Sequence, residues 1–285
     1  MSYTVCNIDK NSFNSVITKK IRFYQSHQYD VAYMFQRYSL NPNNFVEWFI
    51  QKINLTGNEV ALELGCLSES YWIHDFKYMP LFKKLYLVDE KIENVLQAKR
   101  ILKSFSNTNI SLNQCETLNI ENKALDLAYS HNIDLNSNHA YHVSLLSEIL
   151  RVLKDEGTFY YTYITEDYYA SLYKLIYEYD PNPFIKDQIN NYIKNNQSDT
   201  KEMLENTFSY VEVDEFQSVW MVNSVDDLIG FILCDEVLRS LRYTIFQDGL
   251  SSFRSFLKMK IDRLGGITLQ RRVSVITCRG KRAYS

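Results

Sequence analysis

Cysteine is scarce in this chain and follows no pattern: five residues, Cys6, Cys66, Cys115, Cys234 and Cys278, with no CxxC pair among 285 positions. An odd, scattered set excludes a disulfide framework or a zinc knuckle as the organising principle, and it fits a reducing cytoplasm. The first thirty residues lack the apolar core of a secretory signal, and no run approaches the ~20 apolar residues that cross a bilayer. An excess of one charge is missing as well. Lys and Arg number 31 against 34 Asp and Glu, a net charge of -3, so nothing pulls the chain generally toward nucleic acid or an anionic membrane. The one basic group, Arg271, Arg272, Arg279, Lys281 and Arg282, alternates along RRVSVITCRGKR, which places it on the exposed side or end of a strand rather than on an RNA surface. Internal repeats and low-complexity tracts are absent too.

What is present is apolar and aromatic: 46% hydrophobic residues, with 22 tyrosines and 16 phenylalanines. That suffices to bury the core of one elaborated domain. Short strand-like runs recur at residues 59–65, 84–90, 109–115, 124–130 and 158–164, and EVALELG is nearly all apolar, as a strand covered on both faces should be. Helix-like stretches separate them: HDFKYMPLFKK, IENVLQAKRILKSF and HVSLLSEILRVLKDEG. Alternation at this spacing predicts parallel strands with right-handed crossovers, the doubly wound α/β arrangement. Residues 166–208 read as a helical insertion broken at Pro181 and Pro183. Two late strand-like pieces, 210–222 and 271–280, suit a closing hairpin at the far edge of the sheet. The aromatic N-terminal stretch reads as a helical lid over residues 1–57, ahead of a domain over 58–285, the two forming one structural unit.

The candidate site begins at EVALELGCLSESYW, where an apolar strand breaks off at Gly65. A strand that stops at glycine and feeds a helix presents N–H groups and a positive dipole end to a ligand. Asp89 and Glu90 stand 24 and 25 residues further on, where an acid at the tip of the next strand accepts from ribose hydroxyls. Loops of this kind carry further glycines, but Leu67 and Glu69 occupy those places. A side chain there costs on the order of 1 kcal/mol before any clash. A carboxylate at ~4 Å from another is repelled by roughly 4 kcal/mol at an effective dielectric near 20.

These residues carry a family resemblance. LELGCLSESYW from Leu62 to Trp72 is similar to the LELGCGTGxLW of class I S-adenosylmethionine-dependent methyltransferases, in the branch that modifies small molecules and includes quinone-biosynthesis C-methyltransferases. LDLAYS and EILRVLKDEG resemble that group's FDLVxS and EIxRVLKPGG, and GGITLQRRVSVITCRGK resembles its last helix end and strand, so the similarity covers about residues 29 to 282. It implies a seven-stranded sheet of order 3-2-1-4-5-7-6 with strand 7 antiparallel, and S-adenosylmethionine as cofactor. It also implies a cofactor site of Glu63, Gly65, Cys66, Leu67, Asp89, Glu90, Gln114, Cys115 and Ser130. Gln114 replaces the adenine-contacting aspartate yet keeps a carbonyl acceptor. Asp155 and Glu156 replace Pro-Gly in the turn before the fifth strand.

Methyl transfer asks the protein mainly to align nucleophile and methyl group and to remove a proton. Candidate bases are His131, at the end of the fourth strand, Asp134 in the loop after it, and His27 in the lid. Tyr24, Tyr29, Tyr33 and Tyr38 of the lid would line a pocket for an aromatic or amphipathic small molecule. His139 and His142 have no carboxylate or cysteine pair nearby to complete a metal site, so none is expected. Two alternatives stay open: a methyltransferase fold turned to cyclisation, rearrangement or dehydration, and a non-catalytic partner of another subunit. The oligomeric state is open, a homodimer included.

Overall fold

The structure, a computed structural model, describes residues 31–65, 76–112, 117–131, 139–164, 169–181, 187, 200–234, 238 and 250–282. Its centre is a seven-stranded sheet of order β3-β2-β1-β4-β5-β7-β6. The strands are β1 (Glu59–Leu64), β2 (Phe82–Asp89), β3 (Thr108–Leu112), β4 (Leu125–His131), β5 (Leu153–Ile164), β6 (Phe208–Val222) and β7 (Ile267–Lys281). β1 pairs in parallel with β2 and β4, β2 with β3, and β4 with β5, while β7 runs antiparallel to β5. Among the described residues the helices are α1 (Val31–Tyr38), α2 (Phe45–Ile53), α3 (Ile92–Ile101), α4 (His139–Val152), α5 (Ala170–Tyr179), α6 (Thr200–Thr207), α7 (Val225–Cys234) and α8 (Ser251–Leu264). This is the doubly wound arrangement and strand order expected from the sequence. The late strands close the far edge of the sheet as expected, with β7 lying between β5 and β6.

The chain divides into two compact units of three segments each. One holds Met1–Pro42, Tyr169–Tyr192 and Ser218–Arg271, and the other Asn43–Tyr168, Ile193–Gln217 and Arg272–Ser285. The second unit carries β1 to β5 and a core on each sheet face. On one face Leu145, Leu146, Ile149 and Val152 of α4 and Leu204 of α6 pack with Leu62, Leu64, Ala128 and Phe159. On the other, Phe49 of α2 and Val95 and Ala98 of α3 pack with Ala61, Leu85, Leu87, Leu127 and Tyr129. Period-two alternation sends neighbouring strand residues to opposite faces, which is why β1 must be apolar throughout. In the first unit, α5, α7 and α8 bury Leu172, Ile176, Phe231, Phe253 and Leu257, with Phe231 edge-on to both Trp220 and Tyr169.

Two elements depart from the sequence pattern. HDFKYMPLFKK, helix-like in its spacing, contributes only a 3₁₀ turn at Phe76–Leu81 before β2 starts at Phe82; Pro80 has no N–H to extend an α-helix. β5 starts earlier than expected, but its register against β4 jumps from Leu153 to Thr158 while β4 advances only from Leu125 to Leu127. The intervening residues bulge outward with Asp155 and Glu156 exposed, so they still act as a turn.

Candidate functional site

The parallel strands β1, β2, β3 and β4 bring their carboxyl ends to one edge of the second unit, where an open α/β sheet receives its ligands. At that edge Gly65 follows β1 with φ +88°, in the left-handed region where a side chain is strained. Its N–H donates to the Val88 carbonyl at 2.8 Å, so the β1–β2 ladder extends through the glycine. Among the described residues, a Cβ built on Gly65 would meet nothing within 4 Å. Glu63, two residues earlier, is fully buried and lies level with Leu87 and Tyr129, on the α2 face of the sheet.

Asp89 closes β2 and is nearly buried. One carboxylate oxygen accepts from the Lys91 N–H at 2.8 Å and the other from the Asn94 side-chain amide at 3.0 Å. These bonds hold the entrance of α3, whose N-cap residue Lys91 supplies no side-chain bond of its own. Glu90 follows, exposed. Directly across from Asp89 in register is Leu112 of β3, 51% exposed, and Ile92 and Leu96, one turn apart on α3, are about half exposed. These three large apolar side chains, one level with Asp89 and two on the helix that follows it, stand in solvent, and the sequence reading did not single them out. The signal was available, since Leu112 ends a strand and Ile92 follows the acid by three residues.

Ser130, next to last in β4, pairs with Leu64 of β1 and Tyr161 of β5. Its carbonyl accepts from the Thr162 hydroxyl at 3.3 Å, while its own hydroxyl is buried with no hydrogen-bond partner among the described residues. His131 ends the strand opposite Thr162; its side chain lies outside the description, as do those of His139 and His142. Tyr24, His27, Tyr29, Cys66, Leu67, Glu69, Gln114, Cys115 and Asp134 fall outside the described residues altogether.

The motif residues shared with the methyltransferase pattern have structural work beneath this edge. Arg151 donates from Nε and one terminal nitrogen to the two oxygens of Glu148, both at 2.7 Å, and from its terminal nitrogens to the carbonyls of Leu118 and Ile120 at 2.8 Å and to Asn122 at 2.7 Å. Glu148 also takes the Leu118 N–H at 2.8 Å. The bonds from Arg151, then the Leu118 N–H, hold the Glu148 carboxyl below its ordinary range against the opposing effect of burial. Asp126 accepts from the Val60 N–H at 2.9 Å and from Lys154 at 2.5 Å, fixing the start of β1.

In the first unit, Tyr33 and Tyr38 of α1 both donate their hydroxyls to one oxygen of Asp227, Tyr33 at 2.8 Å. The Nε of Arg37 contacts the Tyr38 hydroxyl at 3.1 Å and Asp227 at 3.2 Å. Burial and then the bond to Asp227 push the Tyr33 phenol up to about 12, and the same two causes raise Tyr38. These two tyrosines, read from sequence as pocket lining, thus have their hydroxyls committed to joining α1 to α7. Tyr38 still borders an open groove of about 400 Å³ together with Arg37, Ser39, Leu40, Met221 and Asn223. A second groove, of about 780 Å³, runs between α4 and α6 in the other unit.

Among the described residues no group of three or more His, Cys, Asp or Glu comes together as a metal site, and no helix is long and apolar enough to cross a membrane. No family model matches the sequence, and no curated protein matches it. Solved structures do. The BH2331 protein of Bacillus halodurans, described only provisionally as a methyltransferase, superposes with a TM-score of 0.51 at 13% identity, covering 84% of this chain and 100% of the other. The YcgJ protein of Bacillus subtilis does so with a TM-score of 0.50 at 12% identity, covering 84% and 98%. What this chain shares with them is the fold, the doubly wound seven-stranded sheet that the motif resemblance implies.

Proposed function

We propose that this chain transfers a methyl group from S-adenosylmethionine to a small-molecule acceptor. One juxtaposition supports the reading above the rest: a left-handed Gly65 at the end of β1 beside a nearly buried Asp89 at the end of β2. The residues fit the cofactor's chemistry. Asp89 stands at the strand end where a carboxylate accepts from ribose hydroxyls, Leu112 and Ile92 offer apolar surface for a purine ring, and a glycine at position 65 lets a ligand approach close to the backbone. The Ser130 hydroxyl, buried with no partner among the described residues on a strand paired with Leu64 and Tyr161, would supply a further polar contact. When bound, the sulfonium supplies an activated methyl group. The chain's own part is then to orient the acceptor, exclude water and receive a proton, for which His131, the last residue of β4, is the proposed base.

The acceptor in this reading is a small molecule of a biosynthetic pathway. Nucleic acid and membranes have no place in it, and the scattered cysteines put the protein in the cytoplasm. Titration calorimetry with S-adenosylhomocysteine tests the proposal: the wild type binds, and Asp89→Ala binds at least about tenfold more weakly. No heat from the wild-type protein at millimolar ligand would remove methylation and leave the fold to another reaction. The side chains at Leu67 and Glu69 make that outcome physically reasonable.

A further inference from the structure

Arg37 is held in an unusual way for a side chain that is 60% exposed. Its Nε is fixed by the Tyr38 hydroxyl at 3.1 Å and by Asp227 at 3.2 Å. Asp227 is in turn anchored by two tyrosine hydroxyls, and its N–H is capped by the Ser224 hydroxyl at 3.2 Å. Because a guanidinium is planar, fixing Nε fixes the terminal fork. Among the described residues both contacts use Nε, and the terminal amino groups have no hydrogen-bond partner.

The groove that Arg37 borders has hydrogen-bonded walls. Ser39 bridges to Trp220 of β6, the Leu40 N–H donates to the Val219 carbonyl at 2.8 Å, and the Val219 N–H donates to the Asn41 side chain at 2.7 Å. Leu40 is thereby pinned by its backbone while its side chain stands 61% exposed, with Met221 also in solvent. A preformed groove with one rigid cationic fork and an apolar flank matches one ligand chemistry.

We propose that this groove binds the carboxylate of a small amphipathic acid, the Arg37 fork taking both carboxylate oxygens and Leu40 and Met221 covering the apolar body. A carboxylate fits better than a phosphate because, among the described residues, Arg37 is the one cation bordering the groove and it already faces Asp227, so a dianion would lack countercharge. A neutral amide has the shape without the charge, and charge-assisted bonds are about twice as strong as neutral ones.

The inference is independent of the methyl donor, and so is its test. Hexanoate, hexanamide and hexyl phosphate are titrated by calorimetry into the full chain with no donor present. Hexanoate saturates in the low millimolar range, hexanamide binds at least about tenfold more weakly, and hexyl phosphate binds no tighter than hexanoate. Arg37→Lys keeps the charge but loses the fork and weakens hexanoate by about tenfold. Should that variant fold poorly, Leu40→Asp decides, since it leaves the Arg37 cluster and the backbone bonds intact and its new carboxylate repels the ligand. Hexanamide binding as well as hexanoate, a preference for hexyl phosphate, unchanged affinity in Leu40→Asp, or no saturable binding of hexanoate would each overturn the assignment.

Discussion

At Gly65 a φ of +88° coexists with a Cβ position that no described residue approaches within 4 Å, which separates two costs that usually arrive together. Gly65→Ala adds strain without collision and should lower stability by about 1 kcal/mol in urea denaturation. Gly157 is the converse, because its Cβ would lie 2.9 Å from the Lys154 carbonyl and 3.1 Å from that of Leu125. Backbone cannot retreat as a flexible side chain can, so Gly157→Ala should cost more, about 1–3 kcal/mol. Gly65 was legible in the sequence because a strand ending in glycine is a local signal; the crowding at Gly157 depends on Leu125, which is distant along the chain. The tyrosines show the same limit. Tyr33 and Tyr38 were recognisable as aromatic residues of an N-terminal helix, yet their partner Asp227 lies 194 and 189 residues away. Their coupling carries a pH signature. The folded Tyr33 pKa stands at about 12 against an ordinary 10.0, so its contribution to stability is complete below pH 10 and is lost as pH rises toward 12. The melting temperature should therefore fall across that interval, and Tyr33→Phe should flatten the fall. Tyr33 ionising at its ordinary value, read by tyrosinate absorbance, would contradict the arrangement.

Among the elements, the strand ladder was readable because period two and the spacing of crossovers are properties of local sequence. α2 was readable for the same reason, and its start is fixed by a capping box in which Asn44 accepts from the Glu47 N–H at 2.8 Å and Glu47 accepts from the Asn44 N–H at 3.1 Å. What pattern alone did not disclose is why EILRVL recurs in the resembling family. Here Arg151 ties the C-terminal turn of α4 to the carbonyls of Leu118 and Ile120 and to the Asn122 side chain while Glu148 orients its guanidinium. A lysine has a single nitrogen for what the fork does in several directions. Arg151→Lys should accordingly cost about 1–3 kcal/mol by chemical denaturation, and a cost near zero would show the clamp to be incidental. Glu148 gives this element its own pH limb. Its folded pKa lies below the ordinary 4.5, so the stabilisation it brings is present above that value and drains away as pH falls through the depressed one. Glu148→Gln should remove this acid-side component and leave the alkaline limb untouched.

For the whole molecule, the interleaving of two units along the chain gives the two proposed ligands separate addresses. Gly65, Asp89 and Leu112 belong to the unit that includes Asn43–Tyr168, whereas Arg37, Leu40 and Met221 belong to the unit that includes Ser218–Arg271. Local opening is slowed where a ligand binds the closed form, by a factor that grows as one plus the ratio of ligand concentration to Kd. Hydrogen exchange read by mass spectrometry should then show S-adenosylhomocysteine protecting residues 59–65 and 87–112, and hexanoate protecting 37–41 and 218–223. The readout distinguishes the proposals from each other as well as from failure. Protection by S-adenosylhomocysteine confined to the second set would move the cofactor away from the strand ends and refute the role given to Asp89, whereas protection by hexanoate confined to the first set would refute the groove at Arg37. Uniform slowing throughout the chain by either ligand would signal stabilisation without a local site, and the residues assigned to that ligand would then have no special claim to it.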